Sequence, residues 1–229
     1  AESMAGSNGI LTVESGVKMS KLAAFANQSG LGGLEVFMSV PGTLGGAVFN
    51  NSHFRPEKGE FIGNLVESAE ILSINRGIYR NLEDFKGEIK TVGRDWFKFG
   101  YDYSRLHDEP GVVLKVKFRL KKSDPEILKN KSLALLKERN AGQPIGQLSC
   151  GCMFRNYKGV SAGKLIDEAG MKGKKVGGAM VSAKHANFVI NTGKAKAEEV
   201  LKLMNLIKQA VKGKSGIELE PEIFMVGEF

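Results

Sequence analysis

The chain has 229 residues, 42% of them hydrophobic and 25% charged, an ordinary globular composition that excludes a disordered tail, a collagen-like rod and a disulfide scaffold. Lysine and arginine exceed aspartate and glutamate by 33 − 25 = 8, a balance that suits nucleic acid, an acidic membrane or a phosphorylated small molecule until its distribution is known. The length allows one large domain or two modest ones. The 29 glycines, nearly twice the usual share of about 7%, point to turns and close backbone approaches of the kind that cradle a ligand.

No apolar run reaches the ~18 residues of a membrane span. The opening AESMAGSNGI lacks the basic and apolar segments of a signal peptide, so the expectation is a soluble cytoplasmic protein without membrane insertion. Met19, Leu22, Ala23 and Ala26 at helical spacing predict a helix over 17–29, ended by Gly30. Six glycines then fall between Gly30 and Gly46, around Pro41. Strands are predicted at 65–74, 89–92 and 112–120. In the last, Lys115, Lys117 and Arg119 alternate with Leu114, Val116, Phe118 and Leu120 to give one solvated and one apolar face.

From Asp124 the pattern becomes helical, with Ile127, Leu128, Leu135 and Leu136 inward, and the segment KKSDP sets a boundary between domains 1–123 and 124–229. The second domain carries a helix opened by Ser161 and closed by Gly170, a strand over 187–191, and a helix over 195–212. The buried stripe of that last helix is Val200, Met204, Ile207 and Val211. The fold class is α+β. With no like-charge run interleaved with aromatics, no zinc-finger spacing and no RNP-like strand, nucleic-acid binding loses support and the scattered charge reads as solubility.

VPGTLGGAVFNN is neither a Walker loop, since no Gly-Lys-Ser/Thr follows, nor GxGxxG between a strand and a helix. It remains a glycine-lined turn, either structural or a cradle whose backbone N–H groups bond a phosphate or the edge of a flat ring. Cys150 and Cys152, the only cysteines, lack the further ligands that a metal needs, because His53, His107 and His185 lie far apart in sequence. A nucleophile, a proton donor and a small buried hydrophobe all stay open for them. Near the end, Glu218, Glu220 and Glu222 alternate on one side, where a solvated face is the default.

Taken in order, GLGGLEVFMSVPGTLGGAVFNN, FGYDYSRL, SCGCMFRN, SAGKLIDEAGMKGKKVGGAMVSAKHANFVINTG and GIELEPEIFMVG resemble the UDP-N-acetylenolpyruvoylglucosamine reductases, from about Val13 to Gly227. The resemblance implies an FAD-binding domain of the PCMH/vanillyl-alcohol-oxidase type, represented by its second lobe only since twelve residues precede Val13, followed by an α+β substrate-binding domain. It implies NADPH as reductant of FAD, and a monomer that reduces UDP-N-acetylglucosamine enolpyruvate in peptidoglycan precursor synthesis. Pro41, Gly42, Thr43, Gly45, Gly46 and Ala47 become the flavin-binding residues.

Cys152 stands where the family's proton-donating serine does, Asn156 matches a substrate-holding asparagine, and Glu222 matches the glutamate that works with the donor. Where relatives read F-G-Y-R this chain has Asp102, so Arg105 is the candidate to offset developing negative charge. Arg139, Gln143 and His185 match positions lining the nucleotide and sugar pocket. The shorter subclass fits best, because the tyrosine-bearing insertion is absent between Phe118 and Arg139. A non-catalytic relative that binds a UDP-sugar and a generic flavin oxidase are the competing readings.

Overall fold

Asn8 and Gly9, at φ 50° and 82°, turn the chain between β1 (Met4–Ser7) and β2 (Ile10–Glu14), so MAGSNG opens a hairpin with the Asn-Gly turn that two tightly joined strands favour. The computed structural model describes residues 3–74 and 87–227. The next elements are α1 (Met19–Gln28), β3 (Leu31–Gly32), α2 (Leu44–Phe49), β4 (Val66–Ile74), β5 (Gly87–Gly93), β6 (Gly111–Arg119), β7 (Lys121–Lys122) and α3 (Pro125–Gly142). They are followed by α4 (Ala162–Glu168), β8 (Lys175–Val176), β9 (Ala179–Val181), β10 (Val189–Asn191) and α5 (Ala197–Ser215). The molecule is α+β, and its contacts divide it into two units, Ala1–Lys137 and Glu138–Phe229.

The first unit is an antiparallel five-stranded sheet of order β1-β2-β6-β4-β5. Its core joins Leu11, Val13, Val116, Phe118 and Ile71 of the sheet to Met19, Leu22 and Ala26 of α1. β6 departs from simple alternation. A register shift against β4, between Glu70 and Ile71, leaves Leu114 half-buried and turns Val113 into the core in its place. On the other face Lys117 and Arg119 reach Glu67 at 3.0 and 2.6 Å, and Lys115 reaches Glu70 at 3.6 Å. These exposed pairs add little to stability, but they neutralise the positive row that the sequence displays.

Asp124 caps α3 by accepting from the Glu126 and Ile127 amides at 2.8 and 3.2 Å, with Pro125 as first helical residue. The inward stripe is Leu128, Ser132 and Leu135, whereas Ile127, expected inward, is 64% exposed. A helix advances about 100° per residue, so a stripe centred on 128, 132 and 135 carries position 127 out to solvent. Ser132 is buried because its hydroxyl accepts from Asn27 Nδ2 at 2.8 Å and donates to the Glu35 carbonyl at 3.0 Å. Beside it Lys131 meets Glu35 Oε1 at 2.7 Å. These bonds fasten the first half of α3 to the first unit, and so the division falls inside the helix and not at 123/124.

In the second unit β10-β9-β8 form a three-stranded antiparallel sheet packed with α4 and α5. Ser161 caps α4 by accepting from the Lys164 amide, and Gly170, at φ 72°, follows its end. α5 buries Leu203, Met204, Ile207 and Val211. Val200, expected in that stripe, is half-buried, and Leu203 takes the deeper place. The segment 152–155 is hydrogen-bonded on both edges. Met153 N donates to Asn187 O at 2.8 Å, Arg155 N to Glu220 O at 2.9 Å, and Glu222 N to Met153 O at 2.9 Å. Buried Asn187 adds a clamp: its Oδ1 accepts from Phe154 N at 3.0 Å and its Nδ2 donates to Phe154 O at 2.8 Å.

Two predictions follow from these clamps. Asn187→Ala leaves the Phe154 amide and carbonyl buried without partners and should destabilise the chain by about 2–4 kcal/mol. An unchanged denaturant midpoint would show the clamp to be dispensable. For Glu35, burial works to raise the carboxyl pKa, but the Lys131 hydrogen bond, the backbone amides and the Lys131 charge bring it below the usual 4.5. The unfolded chain therefore binds more protons just below pH 4.5, so this stabilisation is complete above that pH and is lost as pH falls. Glu35→Gln should lower neutral stability and flatten the acid limb in urea titrations at successive pH values.

Candidate active site

The sequence-predicted residues fall into two groups, one in each unit. In the first unit, Gly42 adopts φ 93° and Thr43 caps α2, its Oγ1 accepting from Gly46 N at 3.5 Å. The amides of this turn were expected to be open to a ligand, and most are not. Leu44 N donates to Val17 O, Gly45 N to Ser15 O and Ala47 N to Thr43 O, leaving the Gly42 and Thr43 amides as those without a partner among the described residues. Pro41, Gly42, Thr43 and Gly46 are exposed, while Ala47 is 4% exposed and faces the core.

Thr43, Gly45 and Gly46 nevertheless line an open depression of about 320 Å³, together with Ser15, Gly16, Phe49 and Leu106. A Cβ on Gly45 would crowd Ser15 Cβ at 3.1 Å. A Cβ on Gly46 would meet nothing nearer than Thr43 Oγ1 at 3.9 Å, so a larger side chain there would enter the depression. Ser15 and Gly16 escaped the sequence reading. Their one signal is a Ser-Gly pair directly after the alternating strand β2, and backbone bonds such as Gly45 N to Ser15 O and Leu44 N to Val17 O bring them to the turn.

Arg105 lies on the short 3-10 turn Arg105–His107, next to Leu106 of the depression. Its Nε is 3.7 Å from Glu109, and its guanidinium carbon sits 5.0 Å from the Trp96 ring centre, so the head group is held by its own unit. Asp102 is buried at φ 47° with Oδ1 3.2 Å from His53 Nε2, and His53 stacks on Tyr101. Asn51 braces the same region, accepting from Gly63 N and donating to Gly100 O. The aspartate that replaces the resemblance's arginine thus ties two loops together, a pairing invisible at that distance in sequence.

In the second unit Cys152 is half-buried on the clamped segment, and Glu222 reaches the same segment through its backbone bond to Met153. Arg139, in the last turn of α3, donates from Nε to Gln143 Oε1 at 2.7 Å. Burial lowers its pKa, and interaction with the Cys152 sulfur opposes that shift. Exposed Cys150 places its Sγ 3.4 Å from Met153 Sδ. Desolvation of the sulfur, and then the Glu222 carboxylate, push this thiol above its ordinary pKa. Arg139, Gln143, both cysteines and Glu222 therefore share one neighbourhood, which holds a proton-bearing sulfur, a carboxylate and a cation.

Asn156 and His185 meet instead at the first turn of α4. Asn156 Oδ1 accepts from Ala162 N at 2.9 Å, so this oxygen caps the helix. His185 lies against Gly163, where an added Cβ would be 3.1 Å from its Cε1, and its Nδ1 accepts from Asn187 N at 3.3 Å. That bond assigns the proton to Nε2. Burial, and then the Lys172 charge, hold His185 below its usual pKa and favour the neutral ring. Asn187 links both groupings, a role the sequence reading missed although the residue stands in its HAN string. Lys184, whose Nζ donates to the Asn140 carbonyl, was also missed. Among the described residues no group of three or more His, Cys, Asp or Glu could hold a metal ion.

The family model for the UDP-N-acetylenolpyruvoylglucosamine reductase C-terminal domain matches residues 143–226. The Chlamydia abortus UDP-N-acetylenolpyruvoylglucosamine reductase is 39% identical over 94% of this chain and 67% of its own length. The Caldicellulosiruptor bescii protein of the same name is 40% identical over 96% of this chain and 66% of its own. The crystal structure of the Thermus caldophilus UDP-N-acetylenolpyruvylglucosamine reductase superposes with a TM-score of 0.76 at 33% identity, covering 92% of this chain and 70% of that one. The chain spans about two thirds of the length of the curated relatives it matches, and on these likenesses it belongs to the UDP-N-acetylenolpyruvoylglucosamine reductase family of oxidoreductase enzymes.

Proposed function

We propose that the chain serves the FAD-dependent reduction of UDP-N-acetylglucosamine enolpyruvate to UDP-N-acetylmuramate, with NADPH as reductant, in peptidoglycan precursor synthesis. The observation that carries this reading is the grouping of Cys152, Glu222 and Arg139 in the second unit. In this reading the first unit acts as the second lobe of a PCMH/vanillyl-alcohol-oxidase-type flavin domain, and the second unit as the substrate domain of a cytoplasmic monomer. Among the described residues no helix is long and apolar enough to cross a membrane. The non-catalytic alternative has less support, since the matched relatives carry the reductase name and a thiol, a carboxylate and a cation stand together here.

The depression beside the glycine turn fits the edge of a flavin: the side chain missing at Gly46 leaves it open, and Thr43, whose amide has no partner among the described residues, lines it. When bound, FAD supplies the hydride for the enolpyruvyl C3, having received it from NADPH. Cys152 holds the proton for C2. Arg139, half-buried and charged beside that sulfur, offsets negative charge that develops on the substrate as the hydride arrives. Glu222 keeps the donor's surroundings polar on a segment fixed by backbone bonds. Asn156 and His185 frame the first turn of α4, where Nε2–H of His185 can donate to the sugar nucleotide. Arg105, held by Glu109 and Trp96, would need to leave those partners to act on the substrate.

Cys152→Ala should lower turnover by roughly 10²–10⁴-fold, the usual contribution of a general acid, while Cys152→Ser retains much of it. Steady-state rates with the UDP-sugar decide this, and an alanine variant at the parent rate means that the sulfur only packs. Gly46→Val should weaken FAD binding by about tenfold or more by filling the depression, with an unchanged unfolding midpoint. Fluorescence-quenching titration reads the affinity. Equal affinity in the variant would remove the glycine turn from the flavin site.

A further inference from the structure

Cys150 is left outside the proton-donor role, yet it shares the Cys152 neighbourhood and stands exposed while Cys152 is half-buried. The residue between them is in a bend. Gly151 has φ 90° with nothing within 4 Å of where a Cβ would stand. In extended backbone, alternate Cα atoms lie about 6.6 Å apart with parallel side chains, at the upper edge of what a disulfide spans. At φ 90° Gly151 leaves that extended path, and glycine is the residue that adopts this conformation without strain. Cys150 Sγ is already held 3.4 Å from Met153 Sδ, on the Cys152 side of the bend.

We propose that Cys150-Gly151-Cys152 is a thiol–disulfide exchange site that reacts with low-molecular-weight disulfides to close a reversible Cys150–Cys152 bridge. In the first step the Cys152 thiolate attacks one sulfur of the small disulfide, forming a mixed disulfide and expelling a thiolate that takes up the Cys152 proton. In the second, Cys150 loses its proton to the nearby Glu222 carboxylate and attacks the Cys152 sulfur, and the second small thiolate leaves and is protonated in turn. Two protein S–H bonds are oxidised and one disulfide is reduced to two thiols. Arg139 stabilises the anionic sulfur of the first step, and a bridge across one residue is strained, hence readily reopened. Resting on the proton-donor reading above, closure also takes the S–H bond of Cys152 and so stops turnover.

The test is intact mass and alkylation of the full chain after exposure to oxidised glutathione. Most of the parent protein should lose two hydrogens and take up no iodoacetamide, with the closed form exceeding retained adduct by roughly tenfold, as expected of an intramolecular thiol. Cys150→Ser should instead retain one glutathione on Cys152. Gly151→Ala, strained at φ 90°, should shift the parent pattern toward retained adduct. Stable glutathionyl adducts on the parent, or no reaction, overturn the site. If the bridge closes and turnover continues unchanged, the exchange site stands and the donor role of Cys152 falls.

Discussion

The clamp of Asn187 on Phe154 is the contact on which the placing of the Cys152 segment in the second unit depends. A short segment carrying Cys152 has to be held still between two others, and both the amide and the carbonyl of Phe154 are buried. An Asn side chain presents one acceptor and one donor in a plane, the complement of a backbone residue. With both bonds made, the segment becomes an inner strand in all but length: residues 187–188 lie along one edge and 220–222 along the other. Glu222 and His185 then follow from backbone geometry, since the one is bonded to Met153 and the other to Asn187. The donor role proposed for Cys152 calls for this stiffness, because a donor's efficiency falls steeply with misplacement.

The first unit solves a different problem, that of keeping a glycine-rich turn open. Its amides at 44, 45 and 47 anchor the turn to the end of β2 and to itself, which stiffens a stretch that glycine would otherwise leave loose. The opening that remains comes from what is missing, a side chain at Gly46. Behind it the Ser104 hydroxyl donates to the Phe49 carbonyl at the end of α2, while Asn51 and the His53–Asp102 pair tie the loops at 53–63 and 99–104 together. In this frame Asp102 bears structure.

Much of the fold was legible in the sequence, and for identifiable reasons. The helices at 19–28, 162–168 and 197–215 follow from apolar spacing, the Ser161 cap and the left-handed Gly30 and Gly170, all local properties, although the last runs three residues past the expected end at 212 to a left-handed Gly216. The strands at 66–74 and 111–119 follow from alternation in the same way. Candidate chemistry was legible as residue type: a thiol, a carboxylate at the end of the chain and a glycine turn. Their grouping was not legible in the residues themselves and entered only as what the resemblance implied, because Cys152, Asn187 and Glu222 come together through strand bridges between distant segments.

What the sequence determined by itself is therefore whatever a residue and its near neighbours decide: where helices start and stop, which stretches alternate, and which side chains can carry a proton or a charge. Tertiary structure alone decided the rest. It put Val113 inside and Leu114 half-out, because register depends on a partner strand forty residues away in the chain. Ile127 went to solvent while Ser132 stayed buried, because Asn27 and Glu35 await that hydroxyl. It engaged the turn amides that looked free, because Ser15 and Val17 lie beside them. In each case a hydrogen bond or a packing contact between distant residues outweighed the local preference, since a buried polar group without a partner costs about 1–3 kcal/mol, more than the ~0.7 kcal/mol spanned by ordinary residues' propensities.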